Sequence, residues 1–201
     1  MDKVKFNKYL HDEADVTAEI RSAAFQLHDS VGQRYDKFYS YGVHLLRVAT
    51  IVMDYGHEVI DQEPDIMPVI FAAFFHDSIE DARLTYNDVM ATAKQYMSAE
   101  QAYIAAEIVY ALTNDKGRTR AERAGERYYA GIRETPYAPL VKLCDRLANM
   151  EYSFKCADDD HMAKVYQSEW PHFLSSITCN IEDMRFHLPE GMIKEIENLF
   201  S

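Results

Sequence analysis

The chain predicts an all-α fold. Two observations carry that reading. Among 201 residues only 7 are Gly and 6 are Pro, and 48% are apolar. The apolar residues recur at three- and four-residue spacing, the period of an amphipathic helix rather than of an alternating strand. No repeat, low-complexity segment or linker breaks the chain, and its length suits one domain over residues 1–201.

The elements follow in order. Residues 16–30 read as a helix, with Thr17 as a candidate cap and Ile20, Ala24 and Leu27 on one face. The polar and aromatic stretch 33–40 reads as a loop. A second helix over 41–55 carries Val43, Leu46, Val48, Ile51 and Val52, and a third spans the apolar run 65–75. Thr85 and Asp88 resemble a capping box, with Asp in place of Glu, and open another helix. Residues 99–112 are strongly helical, and Asn114-Asp115-Lys116-Gly117 breaks the pattern. A charged helix is expected over 120–133 and an apolar one over 139–150, the latter carrying Asp145. Two further helices, at 161–186 and 190–200, complete the bundle.

Charge and composition exclude several functions. A formal net charge of −12 argues against a nucleic-acid polymer or a membrane surface as partner, because both need a basic footprint. A small anionic ligand is not excluded, since a metal or a local cationic pocket can still hold phosphate. No apolar run approaches the ~20 residues of a membrane span, and Met1-Asp2-Lys3-Val4-Lys5-Phe6 lacks the apolar core of a secretory signal. Cys144, Cys156 and Cys179 are odd in number and lack CxxC spacing, which points to reduced thiols in a cytoplasmic protein.

The densest chemistry lies in Phe75-His76-Asp77-Ser78-Ile79-Glu80-Asp81, directly after an apolar run. Acids at the end of a buried segment need a cation. If the helix continues, Glu80 falls four residues after His76 and Asp81 four after Asp77, so the pairs share adjacent faces. His44 on the second helix and Asp145 on the apolar 139–150 helix bring two more candidate ligands toward the interior. One His, a His-Asp pair and a distant Asp form a mixed N/O set that suits Mn²⁺, Fe²⁺ or a similar divalent ion better than a thiolate-bound zinc. Glu80 and Asp81 then stand beside it as candidate acid/base groups. Two neighbouring carboxylates tend to split their pKa values, which suits one base and one acid. Arg34, Lys142 and Arg146 are candidate counter-charges for phosphate.

The string His76-Asp77-Ser78-Ile79-Glu80-Asp81 resembles the HDxxED signature of HD-domain phosphohydrolases of the RelA/SpoT type, including the small metazoan SpoT homologues. Three more segments resemble that family in the same order: Gln33-Arg34 with Tyr41-Gly42-Val43-His44, Leu112-Thr113-Asn114-Asp115-Lys116, and the run from Lys142 to Met150. Together they cover about residues 20–152, and the helices over 160–200 complete the domain. The resemblance implies an all-α HD bundle with a mononuclear metal site. It implies a Mn²⁺ ion on His44, His76, Asp77 and Asp145, with Glu80 and Asp81 as the acid/base pair and Asn149 and Arg34 on the nucleotide. The implied reaction is removal of the 3′-pyrophosphate from guanosine tetra- or pentaphosphate. Tyr41, Lys142 and Arg146 complete the expected substrate contacts.

The chain departs from the family at several places. Tyr35 stands where Lys is common, Ser40 where Pro precedes the Tyr, and Ala148, Glu151 and Tyr152 where the family has His, Arg and Thr. These positions are ones expected to line the nucleotide pocket, so they bear on the substrate more than on the chemistry. NADPH or a nucleoside phosphate is the alternative substrate, and a nucleotide-binding regulator with a degenerate site is a third reading. The Tyr residues at 35, 39 and 41 either pack the loop or stack on a base.

Overall fold

The computed structural model describes residues 1–114 and 118–200, without the side chains of Arg120 and Ala121. Asp115, Lys116 and Gly117, part of the expected break and of one family-like segment, lie outside the described residues. The elements are α1 Lys3–Asp12, α2 Ala14–Ser30, β1 Arg34–Tyr35, β2 Tyr39–Ser40, α3 Gly42–Tyr55, α4 Ile66–Phe75, α5 Tyr86–Ala93 and α6 Ala99–Leu112. After these come α7 Arg120–Arg123, α8 Glu126–Glu134, α9 Ala138–Lys155, α10 His161–Ile177 and α11 Glu190–Asn198.

α4 is the centre of the bundle. All ten of its residues are buried, and α2, α3, α6 and α9 pack around it. A helix apolar on every side has no solvent face, so it can only sit inside other helices. α3 and α9 also pack directly on one another. Two glycines matter to this arrangement. A Cβ on Gly42 would lie 2.8 Å from the Phe25 ring, so this ring of α2 packs directly on the α3 backbone there. Gly32 has φ +72°. It ends α2 with bonds from Gly32 N–H to Asp29 C=O and from Gln33 N–H to His28 C=O, both 3.0 Å.

Local signals behave as their chemistry requires at two helix starts. Thr85 and Asp88 form the reciprocal capping box of α5, and Ser98 and Gln101 form another at α6. Elsewhere the sequence reading needs correction. Thr17 lies inside α2, which starts after Glu13, and its hydroxyl is buried without a partner. The stretch 33–40 is a small antiparallel hairpin pairing Tyr35 with Tyr39, turned by left-handed Asp36 and Lys37. The charged 120–133 stretch is two helices, broken at extended Gly125. The 161–186 helix stops at Ile177, where Thr178 turns extended and bonds back to Leu174 C=O. An N-terminal helix, α1, precedes those expected. Asp2 caps it through Val4 N–H at 2.7 Å, and buried Phe6 anchors it.

The largest correction concerns the acidic string. α4 ends at Phe75, as the 65–75 run predicts, but residues 76–82 form successive turns, so His76 with Glu80 and Asp77 with Asp81 do not share helical faces. Ser78 N–H bonds Phe75 C=O at 2.9 Å, Asp81 N–H bonds Asp77 C=O at 2.8 Å, and Arg83 is left-handed. The turns bring Asp77, Glu80 and Asp81 to one opening while His76 stays buried behind them.

Candidate metal centre and active site

Three elements supply the donors. His44 projects from the first turn of α3, His76 sits at the C-cap of α4 with Asp77 just beyond, and Asp145 lies in the middle of α9. The ligand atoms of His44, His76 and Asp145 all lie within 4.8 Å of one another. His44 Nε2 is 3.4 Å from Asp145 Oδ1, and His76 Nε2 is 2.9 Å from Asp77 Oδ2. His76 Nδ1 lies 2.9 Å from the carbonyl of Ala73. That oxygen only accepts, so Nδ1 carries a proton and Nε2 is the nitrogen that faces the cluster, the arrangement of metal-ligating histidines. Two imidazole nitrogens and two carboxylates converging in a buried site fit a divalent ion of the borderline-to-hard kind.

The electrostatics favour cation capture. Burial opposes charge on Asp77, but His76 beside it holds the carboxyl below the ordinary carboxylate range. Burial likewise opposes charge on Asp145, and the Lys142 ammonium at 2.9 Å, with His44 and His76, outweighs it. For His76, burial pushes down while Asp77 and Asp145 push up, leaving it near 9. Tyr41 donates its hydroxyl to Asp77. Asn149 donates to Asp145 Oδ1 at 2.6 Å and to its backbone carbonyl at 3.0 Å.

The centre opens into a cavity of about 800 Å³ lined by Tyr41, Glu80, Asp81, Lys142, Arg146 and Asn149 on one side and by residues of α8 and α10 on the other. Glu80 and Asp81 stand at its rim in different settings. Asn114 Nδ2 grips both Glu80 oxygens at 3.0 and 2.9 Å. Asp81 Oδ2 accepts from Gln33 Nε2 at 3.0 Å. Burial, then Asp77 and Glu80, push Asp81 up to about 6. Glu80 is thus clamped by an amide, while Asp81 can hold a proton near neutrality.

The expected substrate contacts are placed unevenly. Tyr41, Lys142, Arg146 and Asn149 line the cavity. Arg34 is exposed and lines neither this cavity nor its neighbour. The Arg146 guanidinium is committed to α10, paired with Glu169 at 3.0 Å and lying over the rings of Phe173 and Tyr166 at 4.2 and 4.7 Å. Glu151 lines neither cavity. It pairs with Arg47 at 2.6 Å and Lys155 at 3.2 Å, so its charge is answered within the protein. A second cavity of about 360 Å³ lies beyond Asn149, between Tyr35, Phe38, Tyr152 and Tyr166.

Sequence reasoning missed Gln33 as a partner of Asp81, and nothing local signals a contact 48 residues away. It also missed the α10 wall. Tyr166, Glu169 and Phe173 recur at three- and four-residue spacing, a stripe that could have been read as one face.

No protein-family model matches the chain. A Danio rerio guanosine-3′,5′-bis(diphosphate) 3′-pyrophosphohydrolase is 30% identical over 129 residues, 63% of this chain. The match spans 64% of that relative's length, a little under two thirds. A solved structure of a metazoan orthologue of SpoT, described as hydrolysing ppGpp with a role in starvation responses, aligns with a TM-score of 0.63. The alignment covers 92% of this chain and 93% of that one at 20% identity. The two chains share a fold. The helical HD-type bundle expected from the sequence is thus the architecture observed, with the His/Asp cluster at its centre. Among the described residues no helix is long and apolar enough to cross a membrane.

Proposed function

We propose that the chain is a metal-dependent phosphohydrolase that removes pyrophosphate from the 3′ position of guanosine tetra- or pentaphosphate. The observation that carries this reading is the convergence of His44, His76 and Asp145, with Asp77 beside them, at the floor of a nucleotide-sized cavity rimmed by Glu80 and Asp81. Its likeness to the Danio rerio pyrophosphohydrolase supports the choice of substrate.

His44, His76, Asp77 and Asp145 would hold Mn²⁺, with Fe²⁺ the nearest alternative. Such an ion supplies Lewis-acid activation of water and charge for a phosphoryl oxygen. The chain supplies the rest. Glu80, fixed by Asn114, orients the attacking water and draws its proton. Water adds to phosphorus, the bond to the ribose 3′ oxygen breaks, and pyrophosphate departs. Gln33 occupies Asp81 Oδ2, so a proton on Asp81 is carried on Oδ1 and can pass to the leaving 3′ oxygen. Lys142 holds Asp145 in place and adds positive charge to the cavity wall. The same reading places the protein in the cytoplasm, where its three free thiols would stay reduced.

A second substrate reading keeps this chemistry and changes the nucleotide, with NADPH or a nucleoside phosphate in place of the alarmone. One observation favours it: Asn149 spends its amide on Tyr35 and Asp145, and Arg34 lines neither cavity. Chromatography of products from the alarmone, NADPH and common nucleoside phosphates, with Mn²⁺ present, tests both. Pyrophosphate release from the alarmone supports the first reading. Turnover of another nucleotide alone supports the second.

A further inference from the structure

The two histidines of the centre are held by different means. His76 is oriented by the bond from Nδ1 to Ala73 C=O. His44 has no such bond, and its buried Nδ1 has no hydrogen-bond partner. What fixes its ring is aromatic contact. Tyr35 stacks on it with centroids 5.1 Å apart and planes 18° from parallel, and Tyr41 lies tilted against it at 5.4 Å.

Tyr35 has a second attachment. Its hydroxyl donates to Asn149 Oδ1 at 3.1 Å. The carboxylate and backbone carbonyl of Asp145 only accept, so Nδ2 faces them at 2.6 and 3.0 Å, and the Tyr35 hydroxyl holds the amide's other end. One side chain therefore touches the ring of a donor on α3 and, through one amide, the carboxylate of a donor on α9. The hairpin presents it there: Tyr35 pairs with Tyr39, and the turn between them is held by left-handed Asp36 and Lys37.

We infer that Tyr35 is a positioning residue of the metal centre, orienting His44 by stacking and Asp145 through Asn149. The inference rests on the proposed metal site but on no particular substrate. A stacked ring restricts rotation about the His44 side chain as a hydrogen bond to Nδ1 would, and loss of such outer partners commonly weakens metal affinity about 10–100-fold.

The test is Mn²⁺ binding to the metal-free full chain at one fixed pH, by titration calorimetry, with the visible spectrum of the Co²⁺ form as a second readout. Tyr35→Ala should weaken Mn²⁺ by roughly 10–100-fold and alter the Co²⁺ bands. Tyr35→Phe keeps the stack and loses only the Asn149 bond, so it should fall between Ala and the parent. Tyr39→Ala, in the exposed neighbouring strand, should match the parent. Thermal unfolding without metal checks that each variant folds; if Tyr35→Ala does not, Tyr35→Phe and Tyr35→Leu carry the comparison. Parent-like affinity and spectrum in the folded Tyr35 variants overturns the inference while leaving the metal site standing. A folded parent that binds no Mn²⁺ overturns the metal site itself.

Discussion

His44 Nε2 and His76 Nε2 lie 3.2 Å apart, both inside the protein. Two neutral imidazoles do not bring lone pairs together at that separation without something positive between them. A proton can serve, and so can a divalent ion, with Asp77 and Asp145 completing its surroundings. That relationship, more than the sequence string, makes the cluster a centre.

Removing a donor should empty it. Asp77→Ala and His44→Ala should each abolish stoichiometric Mn²⁺ binding, because the remaining groups no longer surround the ion. Metal content after chelation and reloading checks this. A variant that reloads like the parent removes that residue from the donor set.

Glu80 and Asp81 should behave otherwise. Asp81→Asn and Glu80→Gln keep the volume and leave the donors untouched, so metal content should be unchanged. Turnover should fall by roughly 10²–10⁴-fold if the two act as acid and base. Loss of metal in either variant would move that carboxyl into the coordination sphere.

His28 should make stability depend on pH. It is fully buried, stacked on Tyr41, and neither ring nitrogen has a partner. Burial lowers its pKa to about 4 from the ordinary 6.5. The folded state therefore resists the proton that the unfolded chain accepts. Its contribution is fully present above 6.5 and shrinks as pH falls toward 4, by up to about 3 kcal/mol. Asp81 works in the opposite sense. Its raised pKa favours the folded state as pH falls below about 6, so the parent's curve mixes the two. The difference between parent and His28→Leu isolates the histidine. Urea unfolding at pH 7 and at pH 5 should show the parent losing more stability than the variant.

Gly42 should not tolerate a methyl group. A Cβ there meets the Phe25 ring at 2.8 Å, and α2 and α3 cannot part without disturbing Tyr41 and His44. Gly42→Ala should cost about 1–3 kcal/mol in urea unfolding, the usual range for forcing extra volume into a packed contact.

Much of the bundle was legible because its signals are local. The capping pair Thr85 and Asp88, the periodic 99–112 stretch and the all-apolar 65–75 run each predict the element found there. The ligand candidates were legible because His76 and Asp77 follow that buried run directly. What was not legible depends on distance. The end of the 65–75 run marks where α4 stops, but no Gly or Pro signals the turns that follow; they hold because the Ser78 and Asp81 amides find the carbonyls of Phe75 and Asp77. Glu151, expected to line the nucleotide pocket, is instead answered by Arg47, 104 residues earlier in the chain. Tyr35, read as a departure from a pattern, turns out to lie on a histidine brought in by another helix.

The burial of α4 has a consequence for traffic through the site. The wall that carries His76 hangs from a helix with no exposed residue, so it cannot swing without opening the interior. The facing wall, on α10, packs on α8 and α9 through buried Trp170, Phe173 and Ile177, with Arg146 paired to Glu169 and lying over Phe173 and Tyr166. With the His76 wall fixed, any widening needed to admit a bulky substrate or release its products falls to the side built by α8 and α10. Product residence time, more than the bond-breaking step, is the quantity that changes in that wall should alter.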